Sequence, residues 1–255
     1  MSSAQEAKEE YSTAAAVYDT LPGVPVGLLE SQLIKTALGD ATGLTILDLG
    51  GGSGLHAREA IDAGAERVDL VDISPDMMQT AKDTEKSLGR EGRMGFYEAD
   101  VSKPLDHLPL PQKQYDIVMA NWVFDHAGNM EILEGMWRNV STHLKPRGKF
   151  LGVRVADLHE AKYEQYGITY HNYKPIPGGF TYTVRILWET PFEFDAASME
   201  VSYGGSHELH EKYGLTDVQK VPYQSTEVYK KDPEFWEVFM KSPFFAVVTG
   251  VKKSE

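Results

Sequence analysis

Four glycines separate an apolar run from a helix-forming stretch in the segment ILDLGGGSGLHA, residues 46–57. A glycine-rich turn between a strand and a helix lets a ligand approach the backbone closely, and the helix N-terminus offers free amides to it. Two patterns fit this segment. From Gly52 onward, GSGLHA matches the dinucleotide-binding fingerprint through Gly52, Gly54 and Ala57. From Asp48 onward, an acidic residue is followed by glycines at every second position.

The first pattern predicts NAD and hydride transfer, and the second predicts S-adenosylmethionine and methyl transfer. A carboxylate directly before the glycines does nothing for the pyrophosphate of NAD, whereas Asp48 suits the ammonium and sulfonium of S-adenosylmethionine. Asp72 ends the next apolar run, where a carboxylate can accept hydrogen bonds from the ribose of either cofactor. Asp100 follows the third run and can accept from an adenine amino group, which favours S-adenosylmethionine.

Short apolar runs alternate with longer amphipathic stretches, which is typical of a parallel sheet covered by helices. Strands are predicted at 44–49, 67–71, 94–98, 115–120, 149–155, 217–221 and 245–252. Helices are predicted at 55–63, 75–88, 130–144, 206–213 and 232–241, after two helical segments in residues 1–40 that LPGVPVG separates.

Residues 155–204 break this rhythm and are rich in tyrosine, phenylalanine and tryptophan. Within them, FTYTVRILW alternates aromatic and aliphatic residues with polar ones, which predicts a strand. We interpret the segment as a β-rich insertion above the carboxyl ends of the sheet, where ligands bind in such folds. The predicted substrate contacts are Trp122, Tyr170, Tyr173, Tyr182, Arg185 and Trp188.

Composition limits the remaining possibilities. A chain of 255 residues with 42% apolar residues can bury a large core, so one domain with elaborations is expected. The net charge of −13 argues against a nucleic-acid partner, and the lack of cysteine excludes disulfides and thiolate chemistry. The N-terminus has no secretory pattern, and no apolar run is long enough to cross a membrane. We therefore expect a cytoplasmic protein, monomeric or homodimeric.

Taken together, these motifs resemble the class I S-adenosylmethionine-dependent methyltransferases, especially those that act on small molecules. The matching segments are DLGGGSG, VDIS, EADV, YDIVMANWVFDHA and LKPRGKF. The resemblance implies one domain over residues 1–255, with a helical lid at 1–40 and a substrate-covering insertion at 155–204. It also implies a Rossmann-like α/β fold with helices on both faces of a seven-stranded sheet, in the order 3-2-1-4-5-7-6 with strand 7 alone antiparallel. A looser similarity, in GGSGLHAREA, ANWVFDHA and DPEFWEVF, is to heterocycle N-methyltransferases of the toxoflavin-biosynthesis kind.

The resemblance assigns cofactor contacts residue by residue. Asp48 and Gly50 face the methionine moiety, Asp72 the ribose, and Asn121 the sulfonium. The tyrosines of the N-terminal pattern Y-x-x-x-A-x-x-Y-D fold over the cofactor or the substrate. The full predicted cofactor set is Tyr11, Tyr18, Asp48, Gly50, Gly52, Gly54, Asp72, Ile73, Met77, Asp100, Val101 and Asn121.

The stretch NWVFDHA carries the candidates for proton transfer. His126 or Asp125, or His171 from the insertion, can remove a proton from the acceptor as it is methylated. Alternatively, Asp125 caps a helix that begins near Gly128 or pairs with His126. The HELH segment, on a helix expected to be exposed, is one residue short of a zinc-protease motif, so no metal is predicted.

The sequence thus predicts methyl transfer from S-adenosylmethionine to a nitrogen or oxygen of a small aromatic or heterocyclic molecule, in secondary metabolism. Two alternatives remain. The chain can bind the cofactor without transferring its methyl group, or it can be an NAD-dependent oxidoreductase.

Overall fold

The computed structural model describes residues 21–156, 163–189, 191–202 and 205–254. Tyr11 and Tyr18, and the first helical segment predicted for the N-terminal lid, lie outside these ranges. Among the helices of the described ranges, none has the length and apolar character that crossing a bilayer requires.

A seven-stranded sheet forms the centre of the protein, in the order β3-β2-β1-β4-β5-β10-β9. Only β10 runs antiparallel to its neighbours, so the predicted order and direction are confirmed, with β9 and β10 as the sixth and seventh strands. The strands are β1 (Thr45–Leu49), β2 (Arg67–Asp72), β3 (Met94–Glu98), β4 (Tyr115–Asn121), β5 (Leu144–Val155), β9 (Leu215–Lys220) and β10 (Phe245–Lys252).

Alternating side chains of these strands enter separate apolar clusters on the two faces of the sheet. Ile46 of β1 belongs to one cluster and its neighbour Leu47 to the other, as the two-residue period of a strand requires. The helices that cover the sheet are α1 (Pro25–Leu38), α2 (Leu55–Asp62), α3 (Pro75–Ser87) and α4 (Met130–His143), with short helices α5 (Glu208–Lys212), α6 (Glu227–Lys231) and α7 (Glu237–Lys241).

Local chemistry sets where the covering helices begin. Pro25 stands at the start of α1, where its missing amide costs nothing. The Ser74 hydroxyl accepts from the amide of Met77 and caps α3. The predicted helix at 232–241 begins only at Glu237, because Pro233 follows directly after α6 and the Asp232 carboxylate accepts from the amide of Phe235 in a turn.

The insertion forms a second sheet of three antiparallel strands, which confirms its predicted β character. These strands are β6 (Ile168–Ile176), β7 (Gly179–Ile186) and β8 (Phe192–Met199). On β7 the predicted alternation holds, since Tyr182, Val184 and Ile186 are buried while Arg185 is exposed. Its buried face packs against α1 and against aromatic residues near α7. The insertion therefore lies beside the strand ends of the main sheet.

Gly135 illustrates how closely α4 approaches the loop after β3. A Cβ atom at this position would lie 2.0 Å from the carbonyl oxygen of Ser102. We expect Gly135→Ala to lower the free energy of unfolding by about 1–3 kcal/mol, as overpacking does. Arg138→Ala, at an exposed position of the same helix, is the control and should change the thermal midpoint little. Equal midpoints for the two variants would contradict the close packing described for α4.

Candidate functional site

The glycine loop after β1 adopts a backbone that other residues rarely take. Gly50, Gly52 and Gly54 have φ angles of 70°, 53° and 78°. The loop is held by its neighbours, because the Gly50 amide donates to the carbonyl of Val71 at 2.8 Å. A Cβ on Gly51 would lie 2.7 Å from a carboxylate oxygen of Asp48. The loop amides are thus bonded within the protein, and the loop backbone passes close to Asp48 near the end of β1.

Asp48 is the most unusual charged group at the carboxyl ends of the parallel strands. It is 1% exposed, and neither carboxylate oxygen has a hydrogen-bond partner among the described residues. Burial raises the pKa of this carboxyl to about 7, although the charge of His56 opposes the shift. A buried carboxylate without donors is costly unless a ligand supplies them. An ammonium group meets that need, so the site fits the methionine end of S-adenosylmethionine.

Asn121 has the same property at the end of the adjacent strand β4. Both atoms of its amide are buried without a hydrogen-bond partner in the described part of the chain. Because β1 and β4 run parallel and pair directly, these two unpaired polar groups follow neighbouring strands at one edge of the sheet. Buried polar groups of proteins are normally hydrogen-bonded, so this edge is a candidate ligand site.

Asp72 ends β2 and anchors the loop. Its two oxygens accept from the amides of Gly52 and Ser74, each at 2.8 Å. Burial raises the pKa of Asp72, while these amide bonds lower it. Each carboxylate oxygen can accept more than one bond, so this geometry leaves room for ribose hydroxyls. The loop-anchoring role was not predicted from the sequence.

The predicted adenine contacts follow β2 and β3. Met77 and Val101 are buried, and Ile73 is partly buried. The Asp100 carboxylate accepts from the amide of Ser102 at 2.8 Å, which is a turn contact. In the predicted role, the same carboxylate accepts from the adenine amino group. The parallel pairing of β2 with β3 brings all four residues to the same edge. Their adenine roles stay predictions.

A cavity of about 90 Å³ lies between α1, the end of β4 and the insertion. Its walls are mostly apolar and aromatic, including Phe194 and Phe244. Five residues predicted to bind substrate or to move a proton line it, namely Trp122, Asp125, His126, Tyr170 and Tyr182. Folding therefore brings together groups from β4, β6 and β7 that are distant in sequence.

Asp125 lies in the wall of this cavity within a hydrogen-bonded chain. Its carboxylate accepts from the Ser198 hydroxyl and from the amide of Val155, and the Ser198 and Tyr182 hydroxyls are 2.7 Å apart. Burial raises the pKa of Asp125 to about 7, against the effect of Ser198. The alternative that Asp125 caps a helix is wrong, because Asn129 accepts from the amide of Ile132 and caps α4.

His126 follows Asp125 and also reaches the cavity. Burial lowers the pKa of His126 to about 4, so its imidazole is neutral at physiological pH. A neutral imidazole can accept a hydrogen bond or a proton from a ligand. The adjacent carboxyl and imidazole thus provide two proton acceptors on one wall.

Sequence reasoning missed Glu30 of α1. One of its oxygens, Oε1, accepts from Trp122 Nε1 at 2.9 Å and lies 3.2 Å from Nε2 of His56. His56 Nδ1 is in turn 2.9 Å from Glu59. Burial alone would lower the pKa of His56, but the two carboxylates raise it to about 10. His56 in GLHA was a signal next to the glycine loop, whereas only folding brings Glu30 to it.

Other predicted residues lie away from the cavity. His171 and Arg185 both face Glu193, with nitrogen–oxygen distances of 3.4 and 3.6 Å, and neither is among the residues that line the cavity. Trp188 packs against Gly23, where a Cβ would lie 2.5 Å from its ring. The Tyr173 ring is 6.0 Å from that of Tyr182.

The expectation of an exposed HELH helix is wrong for one of its histidines. His210 is buried, and its ring lies 4.6 Å from Trp137 and 5.6 Å from Phe150. The two rings shield this face of α5 from solvent.

Comparison with known proteins agrees with this arrangement. Residues 46–148 match the family described as a methyltransferase domain. The ribosomal protein L11 methyltransferase of Alteromonas mediterranea is 42% identical over 82 residues, which are 32% of this chain and 25% of that protein. The chain spans less than half the length of the curated relatives that it matches.

Solved structures share the fold over almost the whole chain. The 4+2 cyclase SpnF aligns with a TM-score of 0.62 at 16% identity, covering 100% of this chain and 98% of that one. A DhpI complex with SAM and HEP aligns with a TM-score of 0.57 at 21% identity, covering 95% and 94%. Residues 46–148 are thus similar to a methyltransferase domain, and the chain shares its fold with these solved structures.

The double role of Asp72 leads to a binding prediction. Asp72→Ala removes the acceptor of two loop amides together with the proposed ribose contact, so we expect it to abolish S-adenosylmethionine binding in isothermal calorimetry. Asp76→Ala, exposed in the first turn of α3, is the matched control and should retain the affinity. Undiminished binding by Asp72→Ala would count against the assigned cofactor edge.

The raised pKa of Asp125 leads to a second prediction, on stability. The folded protein keeps this carboxyl protonated to higher pH than the unfolded chain, so its contribution to stability is present near pH 4 and is lost as pH rises to about 7. Asparagine carries no charge, and Ser198 can then donate to Tyr182. We compare the thermal midpoint of Asp125→Asn with that of the parent protein at each pH. The variant-minus-parent difference should increase by several degrees from pH 5 to pH 8, because each kcal/mol of stability shifts the midpoint by about 2–4 °C.

Exposed Asp195→Asn provides the control for this comparison, because it lies on β8 near Ser198. Its midpoint relative to the parent should not change with pH in that range. A pH-independent difference for Asp125→Asn would overturn the raised pKa.

Proposed function

We propose that this protein transfers the methyl group of S-adenosylmethionine to a nitrogen or oxygen of a small aromatic or heterocyclic molecule, in secondary metabolism. The observation that carries the proposal is the buried carboxylate of Asp48, which has no partner in the described residues and stands directly before the glycine loop. The pyrophosphate of NAD would be repelled there, whereas a cationic cofactor end is attracted. The matched methyltransferase domain supports the same class of reaction.

Each residue at the carboxyl ends of the parallel strands has a proposed contact with one part of the cofactor. Asp48 and the Gly50 backbone hold the ammonium end, and Asp72 accepts from the ribose. Ile73 and Met77 contact the adenine faces, while Asp100 and the Val101 amide bind its edge. Asn121 stands beside the sulfonium. Tyr11 and Tyr18, which lie outside the described residues, complete the proposed set as part of the lid.

Positioning is the principal contribution of the protein. The bound cofactor supplies a methyl group that is already activated on a sulfonium. The aromatic walls of the cavity exclude water and restrict how a flat acceptor can lie. Holding two reactants in line can contribute about 7–11 kcal/mol in favourable cases. The volume of the cavity, about 90 Å³, and its mostly apolar walls support a small acceptor.

A proton acceptor is needed only when the acceptor atom carries a hydrogen that it must lose. Asp125 and His126 both line the cavity, and each is available as a base near neutral pH. His171 would have to leave Glu193 to take part. We therefore assign the role of proton acceptor to the pair Asp125 and His126.

A second candidate function is cofactor binding without methyl transfer. The likeness to a 4+2 cyclase favours it, because that protein has the same fold and is named for an activity other than methylation. The two functions differ in one measurable product, S-adenosylhomocysteine. The NAD oxidoreductase receives no comparable support.

Mass spectrometry of small molecules released from the purified, denatured protein tests the cofactor. We expect S-adenosylmethionine or S-adenosylhomocysteine, and recovery of NAD instead would overturn the proposal. Incubation with S-adenosylmethionine and a library of small aromatic acceptors then tests the reaction. Formation of S-adenosylhomocysteine with a methylated acceptor is expected, and cofactor binding without any turnover would favour the second candidate.

A further inference from the structure

We infer that the acceptor is a basic nitrogen compound, whose cationic form is held between Glu30 and Asp125 in the aromatic cavity before its nitrogen is methylated. This inference rests on the proposed methyl transfer and specifies the class of substrate. It depends on the charges of the cavity wall, on its aromatic rings and on one oxygen of Glu30 that has no donor among the described residues.

The charges that line the cavity are of one sign. Glu30 and Asp125 are its carboxyl groups, and its described lining residues include no lysine or arginine. His126 is neutral at physiological pH because burial lowers its pKa to about 4. An acceptor that carries a carboxylate or a phosphate would find no cationic partner among these residues. A cationic acceptor would be attracted instead.

The nearest cations leave Asp125 without a direct ion pair. Arg154 attracts Asp125 at longer range, but its guanidinium donates to the carbonyls of Ser202 and Ser206 at 2.8 and 2.7 Å. His56 is shared between Glu30 and Glu59, and Lys35 lies 3.7 Å from Glu59. The charges of these four residues alternate in sign and sum to zero. Among the described residues, Asp125 is therefore the cavity carboxylate that lacks a cation in direct contact.

Glu30 has an oxygen left for a ligand. Both hydrogen bonds that it makes to described residues go to Oε1, from Trp122 and His56. These two bonds fix the carboxylate in place, and within the described residues Oε2 has no donor. A charged N–H group of an acceptor can donate to it, and such bonds are about twice as strong as neutral ones. Glu30 thus acts as a positioning and specificity residue.

The rings of the cavity suit a cation with an apolar body. Tyr170 lies 5.7 Å from Tyr182 and 5.3 Å from Phe244, measured between ring centroids, and Trp122 completes this wall. A cation over such faces is attracted by the negative charge density of the rings. Trp122 has a left-handed backbone with φ 61°, a strained conformation that its bond to Glu30 helps to retain.

The proposed methyl transfer needs no reactant besides the acceptor, the cofactor and Asp125. The bound ammonium gives one proton to the Asp125 carboxylate and becomes an amine with a free electron pair. That pair forms the bond to the methyl carbon while the carbon–sulfur bond breaks and its electrons remain on sulfur. The products are a methylated ammonium, S-adenosylhomocysteine and protonated Asp125, which then releases its proton to solvent. The positive charge stays between the same two carboxylates.

A matched set of three probes tests the inference. Protein saturated with S-adenosylhomocysteine is titrated by calorimetry with 2-phenylethylamine, with 2-phenylethanol and with 3-phenylpropionate, which differ mainly in charge. We expect the amine to bind at least about tenfold more tightly than the alcohol, and the carboxylate to bind most weakly. Amine binding that is absent, or no tighter than that of the alcohol, would overturn the inference.

Variants connect the preference to the two carboxylates. Glu30→Gln and Asp125→Asn should each weaken amine binding by about tenfold or more while leaving alcohol binding unchanged. Asp195→Asn, exposed on the same insertion, should leave both unchanged. Each variant is first titrated with S-adenosylhomocysteine, and retained affinity establishes that it is folded. An equal loss of amine and alcohol binding would assign Glu30 and Asp125 a structural role and contradict the inference.

The cofactor titration separates this inference from the proposed function. Protein that binds neither S-adenosylmethionine nor S-adenosylhomocysteine would overturn the proposed function. Protein that binds the cofactor and methylates neutral hydroxyl acceptors in preference to amines would retain the proposed function and overturn the acceptor class.

Discussion

The placement of the whole cofactor edge depends on the two hydrogen bonds that Asp72 accepts from Gly52 and Ser74. They tie the glycine loop after β1 to the first turn after β2, so that two parallel strands present their ends as one surface. The left-handed glycines permit this path, and the buried carboxylate fixes it. Asp48 then lies beneath the loop without a hydrogen-bond donor among the described residues, because the loop amides already donate to other acceptors. A charge left unpaired in this way indicates a ligand better than any exposed group would.

The insertion adds a wall to this edge. Its three strands place one face toward α1 and the end of β4, and aromatic side chains line the cavity between them. The Ser198 hydroxyl of β8 reaches Asp125, so the insertion also supplies part of the polar chain that surrounds the candidate base. Packing and proton chemistry are therefore linked. A change in the insertion would alter both the shape of the cavity and the environment of Asp125.

A second network joins the cofactor loop to the cavity. His56 is the second residue of α2, and it pairs with Glu30, which accepts a hydrogen bond from Trp122. The imidazolium lies between the partly buried carboxylate of Glu30 and the buried one of Glu59, which would otherwise repel one another. The charge on His56 also lowers the pKa of Asp48 relative to the effect of burial. Cofactor edge and acceptor cavity thus share one electrostatic environment, as alignment of two substrates requires.

The sequence by itself determined the fold and predicted the cofactor edge. The two-residue and helical periods predicted the alternation of strands and helices and the β-rich insertion, and the family resemblance implied the seven-stranded order. The glycines and the acids at three strand ends are the local signals behind the predicted cofactor edge. Helix bounds near Pro233 were less well predicted, because a turn held by Asp232 competes with the helical pattern there.

Only the tertiary structure decided which groups line the cavity. Glu30, Asp125 and Tyr170 come from segments far apart in the chain, and no local pattern relates them. His171 and Arg185 seemed equally suitable in the sequence, yet strand alternation turns them toward Glu193. Strand ends are fixed by short-range geometry, whereas a cavity depends on how separate elements pack, and its charges are known only once that packing is known.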